Sequence, residues 1–257
     1  LRMVLRMSAG DLNAWVALIG FAGGVATGSF FLKKGFSLGR AYEAKPLSGA
    51  VLPVLLAALL VVGTATGVYA MSAEGPGSKH APVILSLVAA LIIGALAQKS
   101  RMCFAGSIRD VLLMKNFDLI SIIAALFAVM AVYNLAAGSF HLGFYGQPIA
   151  HSQHLWNILG MYVVGFAAVL AGGCPLRQLI LAGQGSSDSA VTFLGMLLGA
   201  AAAHNFGLVG AAAKAATETE AAVPGGPSAA GKIAVIVCIV VLFVIAGTNL
   251  RRKKAAR

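Results

Sequence analysis

Residues 51–71 (VLPVLLAALLVVGTATGVYAM) and 233–249 (IAVIVCIVVLFVIAGTN) contain no charged side chain. About 20 apolar residues in helical conformation cross the ~30 Å hydrocarbon core of a bilayer. Inside lipid each backbone N–H and C=O must find its partner within the segment, and runs of this length do so as helices. The chain is therefore expected to be an all-α polytopic membrane protein. Only 11% of its 257 residues are charged, whereas 59% are hydrophobic, and a soluble domain carries about twice that share of charge.

Seven spans are expected, near 13–32, 50–71, 82–98, 118–137, 155–171, 189–211 and 232–249. Two further stretches, 101–115 and 173–185, mix apolar residues with Arg, Cys, Gly and Gln. They are too short and too polar to cross and are expected to be re-entrant. The implied division is the end of an N-terminal half over 1–49 and a C-terminal half over 50–211. An external loop, a last span and a basic tail then occupy 212–257. No cleavable signal peptide is visible, because residues 1–11 are too short and too polar for one.

A net charge of +11 raises the question of nucleic acid. The basic residues lie between the apolar runs and on no amphipathic face, which is the pattern of charge that orients a protein in a membrane. With seven spans, loop 33–49 (Lys33, Lys34, Arg40, Lys45), stretch 99–115 (Lys99, Arg101, Arg109, Lys115), Arg177 and the tail (Arg251, Arg252, Lys253, Lys254, Arg257) share one side. That side collects 14 of the 19 basic residues, against Arg2, Arg6, Lys79, Lys214 and Lys232 opposite. The expected setting is the inner or plasma membrane, with a cytoplasmic C-terminus.

Shifting the sequence by 175 residues aligns it with itself. Leu1-Arg2 falls on Leu176-Arg177, and Gly10, Gly20 and Gly24 fall on Gly185, Gly195 and Gly199. Four-residue glycine spacing also arises from close helix packing. A polar elbow followed by an apolar span is nevertheless aligned by the same shift. Charge puts the two elbows on opposite sides, so the halves are expected to be inverted, as in transporters with a midplane site. The later copy reads GGCPLR where the first begins at LR, so a Gly-Cys-Pro and an N-terminal portion are expected upstream.

Chemistry concentrates in the two short stretches. In LAGGCPLRQLILAGQGSSD, Pro175 suits a first helical turn, which puts Cys174 at a helix N-terminus. Free N–H groups there bind anions and lower a thiol's pKa. Arg177 adds a fixed positive charge, while Gly172 and Gly173 permit close approach. Cys103 lies in QKSRMCFAGSIRD with Arg101, Arg109 and Asp110. The spacings Gly94-x8-Cys103 and Gly165-x8-Cys174 match. The bland alternative makes each cysteine a small buried hydrophobe and 101–115 an ordinary cytoplasmic loop. Gln178, Gln184, Asp188 and Asn205 are further polar groups on or beside spans. No metal or cofactor is expected. His204 has no second span histidine to share a haem, and His80, His141, His151 and His154 read as interfacial. Cys238 reads as packing, and 214–231 as a flexible loop.

At these residues the chain resembles the YeeE/YedE sulfur-transport family, within it the branch associated with selenium metabolism. LAQKSRMCFAGSIRD (96–110), LAGGCPLRQLILAGQGSSD (170–188) and GAAAAHNFG (199–207) carry the resemblance, with FFLKKGFSLGRA (30–41) and GQPIAHSQHLWN (146–157). It implies an hourglass-shaped, channel-like transporter of two halves whose cysteines line the path, Cys103 and Cys174 matching two of those positions. Studied members move thiosulfate inward, and selenium cargo follows from the branch's association. The expected partners are a small sulfur or selenium anion, a cytoplasmic sulfur-carrier protein and the lipid bilayer, but no nucleic acid. Two other readings stay open at this point. One is a membrane thiol sulfurtransferase or redox protein, which needs its two thiols close together, and the other is an accessory subunit.

Overall fold

The computed structural model describes residues 2–39, 44–68, 81–145, 147, 151–210 and 225–250. The orienting residues Arg40, Lys79, Lys214 and the basic tail, together with His80, lie outside them. Among the described residues every regular element is helical. In chain order these are α1 (Arg2–Ser8), α2 (Leu12–Lys33), α3 (Pro46–Gly49), α4 (Val51–Thr66), α5 (Val83–Lys99), α6 (Phe104–Met114), α7 (Asp118–Ala136), α8 (His154–Leu170), α9 (Pro175–Gly183), α10 (Ser187–Asn205) and α11 (Ala229–Thr248).

Six stretches among the described residues are long and apolar enough to cross a membrane. They are Leu12–Lys33, Leu47–Thr66, Val83–Met114, Asp118–Ala136, His154–Gly183 and Ala229–Thr248. The expected seventh, at 189–211, is the helix α10, but it falls short of that apolarity. Nearly half of its 19 residues are Gly, Ala or Ser, and it includes Asp188, His204 and Asn205. Leu, Ile and Val instead fill α4, α5 and α11 and are widely exposed there. So much contiguous apolar surface is untenable in water and suited to lipid.

The chain divides into two compact units, each assembled from separated segments. The first comprises Leu1–Gly39, Cys103–Cys174 and Leu197–Arg257. Its centre is the parallel pair α2 and α8, which meet backbone to backbone. A Cβ on Gly20 would stand 2.1 Å from the Ile158 carbonyl oxygen, and one on Gly24 2.1 Å from that of Tyr162. From the other side, a Cβ on Gly165 would lie 2.2 Å from the Phe21 oxygen. Small residues permit this approach, and dispersion across it stands in for the hydrophobic effect that lipid cannot provide. Phe166, wholly buried, stacks on Phe31 at 5.8 Å and meets the Phe243 edge at 5.1 Å, which joins α11 to the pair.

The second unit comprises Arg40–Met102 and Pro175–Met196. There α9 packs against α4 and α5, and the Ala44 N–H donates to the Gly185 carbonyl at 3.0 Å.

The 175-residue register is also the register of the backbone hydrogen bonds around two turns. Gly10 N–H donates to the Met7 carbonyl at 3.2 Å and Asp11 N–H to that of Arg6 at 3.0 Å. Their counterparts are Gly185 to Ala182 at 3.1 Å and Ser186 to Leu181 at 3.0 Å. Gly10 and Gly185 sit at φ +92° and +90°, the left-handed region that costs other residues steric strain.

Beside the first turn, Asp11 is fully buried and caps α2 by accepting from the Asn13 N–H at 2.9 Å. Its carboxylate is ion-paired to Arg6, and Asn13 Nδ2 reaches the Phe144 carbonyl at 2.8 Å. Asp11→Ala removes the cap and leaves Arg6 without its counter-ion, so a loss of about 2–4 kcal/mol is expected. Chemical unfolding in detergent measures it. His151, outside the spans, has its pKa lowered chiefly by burial, with the charges of Arg6 and His154 adding to the effect.

Candidate functional site

The two short stretches form separate helices after breaks in longer ones. α6 has 11 residues and α9 has 9. At about 1.5 Å per residue each covers roughly half the hydrocarbon thickness. The two breaks are built alike, 71 residues apart. At the end of α5, Ser100 donates to Leu96 at 2.9 Å, Arg101 to Gln98 at 3.1 Å and Met102 to Ala97 at 3.1 Å. At the end of α8, Ala171 donates to Ala167 at 2.8 Å, Gly172 to Val169 at 3.1 Å and Gly173 to Ala168 at 2.8 Å. Each break thus satisfies the last carbonyls of its helix, places one residue in the left-handed region, and delivers a cysteine two positions later.

That left-handed residue is Gly172 (φ +83°) in one break and Arg101 (φ +53°) in the other. An L-residue there costs about 1–2 kcal/mol. Arg101→Gly is therefore expected to stabilise the chain by up to about 1 kcal/mol in thermal unfolding, part of the relief being offset by the greater freedom of glycine in the unfolded state.

Cys103 is the N-cap of α6, its sulfur accepting from the Gly106 N–H at 3.2 Å. A Cβ on Gly106 would stand 3.2 Å from that sulfur, so glycine leaves the space the thiol uses. The Cys174 N–H donates to the same sulfur at 3.4 Å, and the two thiol side chains are in hydrogen-bonding contact. Neither residue is in a disulfide, and both are almost fully buried, at 7% and 2% exposure. The fold has brought together the pair that the sequence keeps 71 residues apart. Cys238 is also in no disulfide, but exposed on α11.

The other expected residues are placed as follows. Pro175 opens α9, Gly173 is buried and Gly172 exposed. Gln178 is buried within α9. Arg177 keeps a buried Nη1 with no hydrogen-bond partner among the described residues. Arg109 is engaged by its neighbour, its Nε and Nη2 meeting Asp110 Oδ1 at 2.9 and 2.8 Å. Gln184, Asp188 and Asn205 are exposed. The contribution of Gly106 was not foreseen. Its signal was the Cys-x-x-Gly order, in which an N-cap side chain accepts from the third residue along.

Apolar helices of spanning length, exposed Leu, Ile and Val, and short helices after breaks define the class: a multi-pass α-helical membrane protein. A model of the sulphur transport family matches residues 99–257, which include both thiols. The chain belongs to that family. It is similar to the thiosulfate transporter TsuA of Escherichia coli, 26% identical over 103 residues that make up 40% of this chain and 29% of the relative. It is also similar to the thiosulfate transporter TsuA of Spirochaeta thermophila, 31% identical over 115 residues, which are 43% of this chain and 33% of the relative. The chain therefore spans about a third of the length of the curated relatives it matches. No solved structure matches it.

Proposed function

We propose that this chain conducts, or forms part of a protein that conducts, a small sulfur-containing anion across the cell membrane. Thiosulfate is the cargo most consistent with the names of the relatives. The observation that carries the reading is the buried contact of Cys103 with Cys174, each at the start of a short helix after a break. A thiol is polarisable and can both donate and accept a weak hydrogen bond, which suits a sulfane sulfur. In the sequence Arg101 stands two residues before Cys103 and Arg177 three residues after Cys174, so positive charge for the anionic end accompanies each thiol along the chain. Gly172 and Gly173 precede Cys174 in the chain and Pro175 and Gln178 follow it, while Arg109 acts less directly because Asp110 neutralises it. In this reading α6 and α9 dip into the membrane, and the basic loops hold the C-terminus in the cytoplasm.

The test is uptake of radiolabelled thiosulfate by proteoliposomes or by cells lacking other sulfur-anion uptake. Competition by unlabelled selenium analogues separates sulfur from selenium cargo. Failure of a supplied cytoplasmic sulfur carrier to alter net uptake would remove that partner from the scheme. No uptake by well-inserted protein would overturn the reading.

The thiol contact specifically favours a second reading, a membrane-bound sulfurtransferase or redox protein, since attacking and resolving thiols need this proximity. That activity consumes thiosulfate in detergent solution with a thiol acceptor present, whereas a transporter leaves it intact.

A further inference from the structure

We propose that Cys103 and Cys174 form a two-coordinate binding site for a soft monovalent cation of the Cu(I) class. The pair is suited to it in number, type and setting. Neither cysteine is in a disulfide, and both are buried and in mutual contact. Among the described residues no group of three or more His, Cys, Asp and Glu is disposed to hold a metal. Zinc seeks four such ligands in a structural site, so this geometry selects against it. Thiolate donors select Cu(I) by their softness, and a closed-shell Cu(I) ion is content with two sulfurs in line.

The exchange balances without an electron donor. Two S–H bonds break, two S–Cu bonds form, and two protons leave to solvent, as metal capture by thiols requires. Copper remains Cu(I), and the product carries one net negative charge. Burial opposes such a charge, and two backbone N–H groups act in the other direction. The Gly106 and Cys174 N–H groups already point at the Cys103 sulfur, at 3.2 and 3.4 Å. Cys103 also caps α6, where the helix dipole favours negative charge. Neither sulfur is tied by a disulfide, so the thiol contact can open to admit the ion without reduction of an S–S bond. The proposal stands on this geometry and not on transport, so it is tested at equilibrium.

The experiment is anaerobic titration of the detergent-purified full chain with Cu(I), using bicinchoninate as competing chelator. One Cu(I) per chain is expected, with ultraviolet thiolate-to-copper absorption. Cys103→Ser and Cys174→Ser each keep the side-chain shape. Each should lower Cu(I) affinity by at least about 100-fold, since losing a ligand costs no less than losing an outer-shell partner. Cys238→Ser should leave the affinity unchanged. Unaltered affinity in either site variant, or no copper retained by the wild-type chain, would overturn the proposal. X-ray absorption of the wild-type complex guards against a misfolded variant. Two sulfur scatterers in linear array support the site, and three or more ligands, or nitrogen and oxygen donors, overturn it.

Discussion

On the proposed function, Cys174→Ala is expected to reduce thiosulfate uptake to the level of vesicles without protein, with membrane insertion and the amount of protein unchanged. Cys174 contributes its thiol to the contact with Cys103 and also the backbone N–H that donates to the Cys103 sulfur. Alanine keeps the N–H and the small volume, so folding survives while one of two polarisable groups disappears from the proposed path. Cys174→Ser, which restores a hydroxyl donor but not the soft sulfur, should recover little. Cys238→Ala serves as the control, since that residue lies exposed on α11. Near-wild-type uptake in Cys174→Ala would reduce the pair to packing. Parallel uptake and insertion measurements on the same vesicles decide between those outcomes.

Gly24→Ala and Gly199→Ala are expected to differ sharply, although the 175-residue shift places the two glycines at equivalent positions. A Cβ on Gly24 would be 2.1 Å from the Tyr162 oxygen and 2.7 Å from the Phe166 nitrogen. Both are backbone atoms, so α2 and α8 must separate. The loss should be about 3 kcal/mol or more, at the upper end of overpacking costs. Nothing lies within 4 Å of a Cβ on Gly199. There the substitution should change stability by no more than about 1 kcal/mol, with helix propensity favouring alanine. Thermal unfolding of both variants in one detergent gives the comparison. Equal losses would mean that the α2–α8 approach is not what the glycines of α2 serve.

Much of the architecture was legible because it follows from local forces. Apolar runs located α2, α4, α5, α7, α8 and α11, and the polar interruptions at 101–115 and 173–185 located α6 and α9. Pro175 opens a helix because its ring suits the first turn, and Gly172 ends one because it accepts a positive φ. Arg101 does the same work as Gly172 against its own preference, which no propensity would have suggested. The matched cysteine spacing pointed to two similar breaks, and the hydrogen bonds at those breaks are matched pair by pair. The span count was less legible at α10, where small residues make a helix without making it strongly apolar.

The sequence by itself determined where the chain is helical, where it breaks, which breaks carry thiols, and that most of its surface requires lipid. Those properties depend on neighbours within a turn or two and on the transfer of side chains out of water. Only the tertiary structure decided that Cys174 meets Cys103 and that Gly106 completes the surroundings of its sulfur. It also decided that Gly24 is locked against α8 while Gly199 stands open. Such contacts join residues far apart in the chain. They are selected by how whole helix faces fit together, and identical glycine spacing on two helices carries no record of what lies opposite.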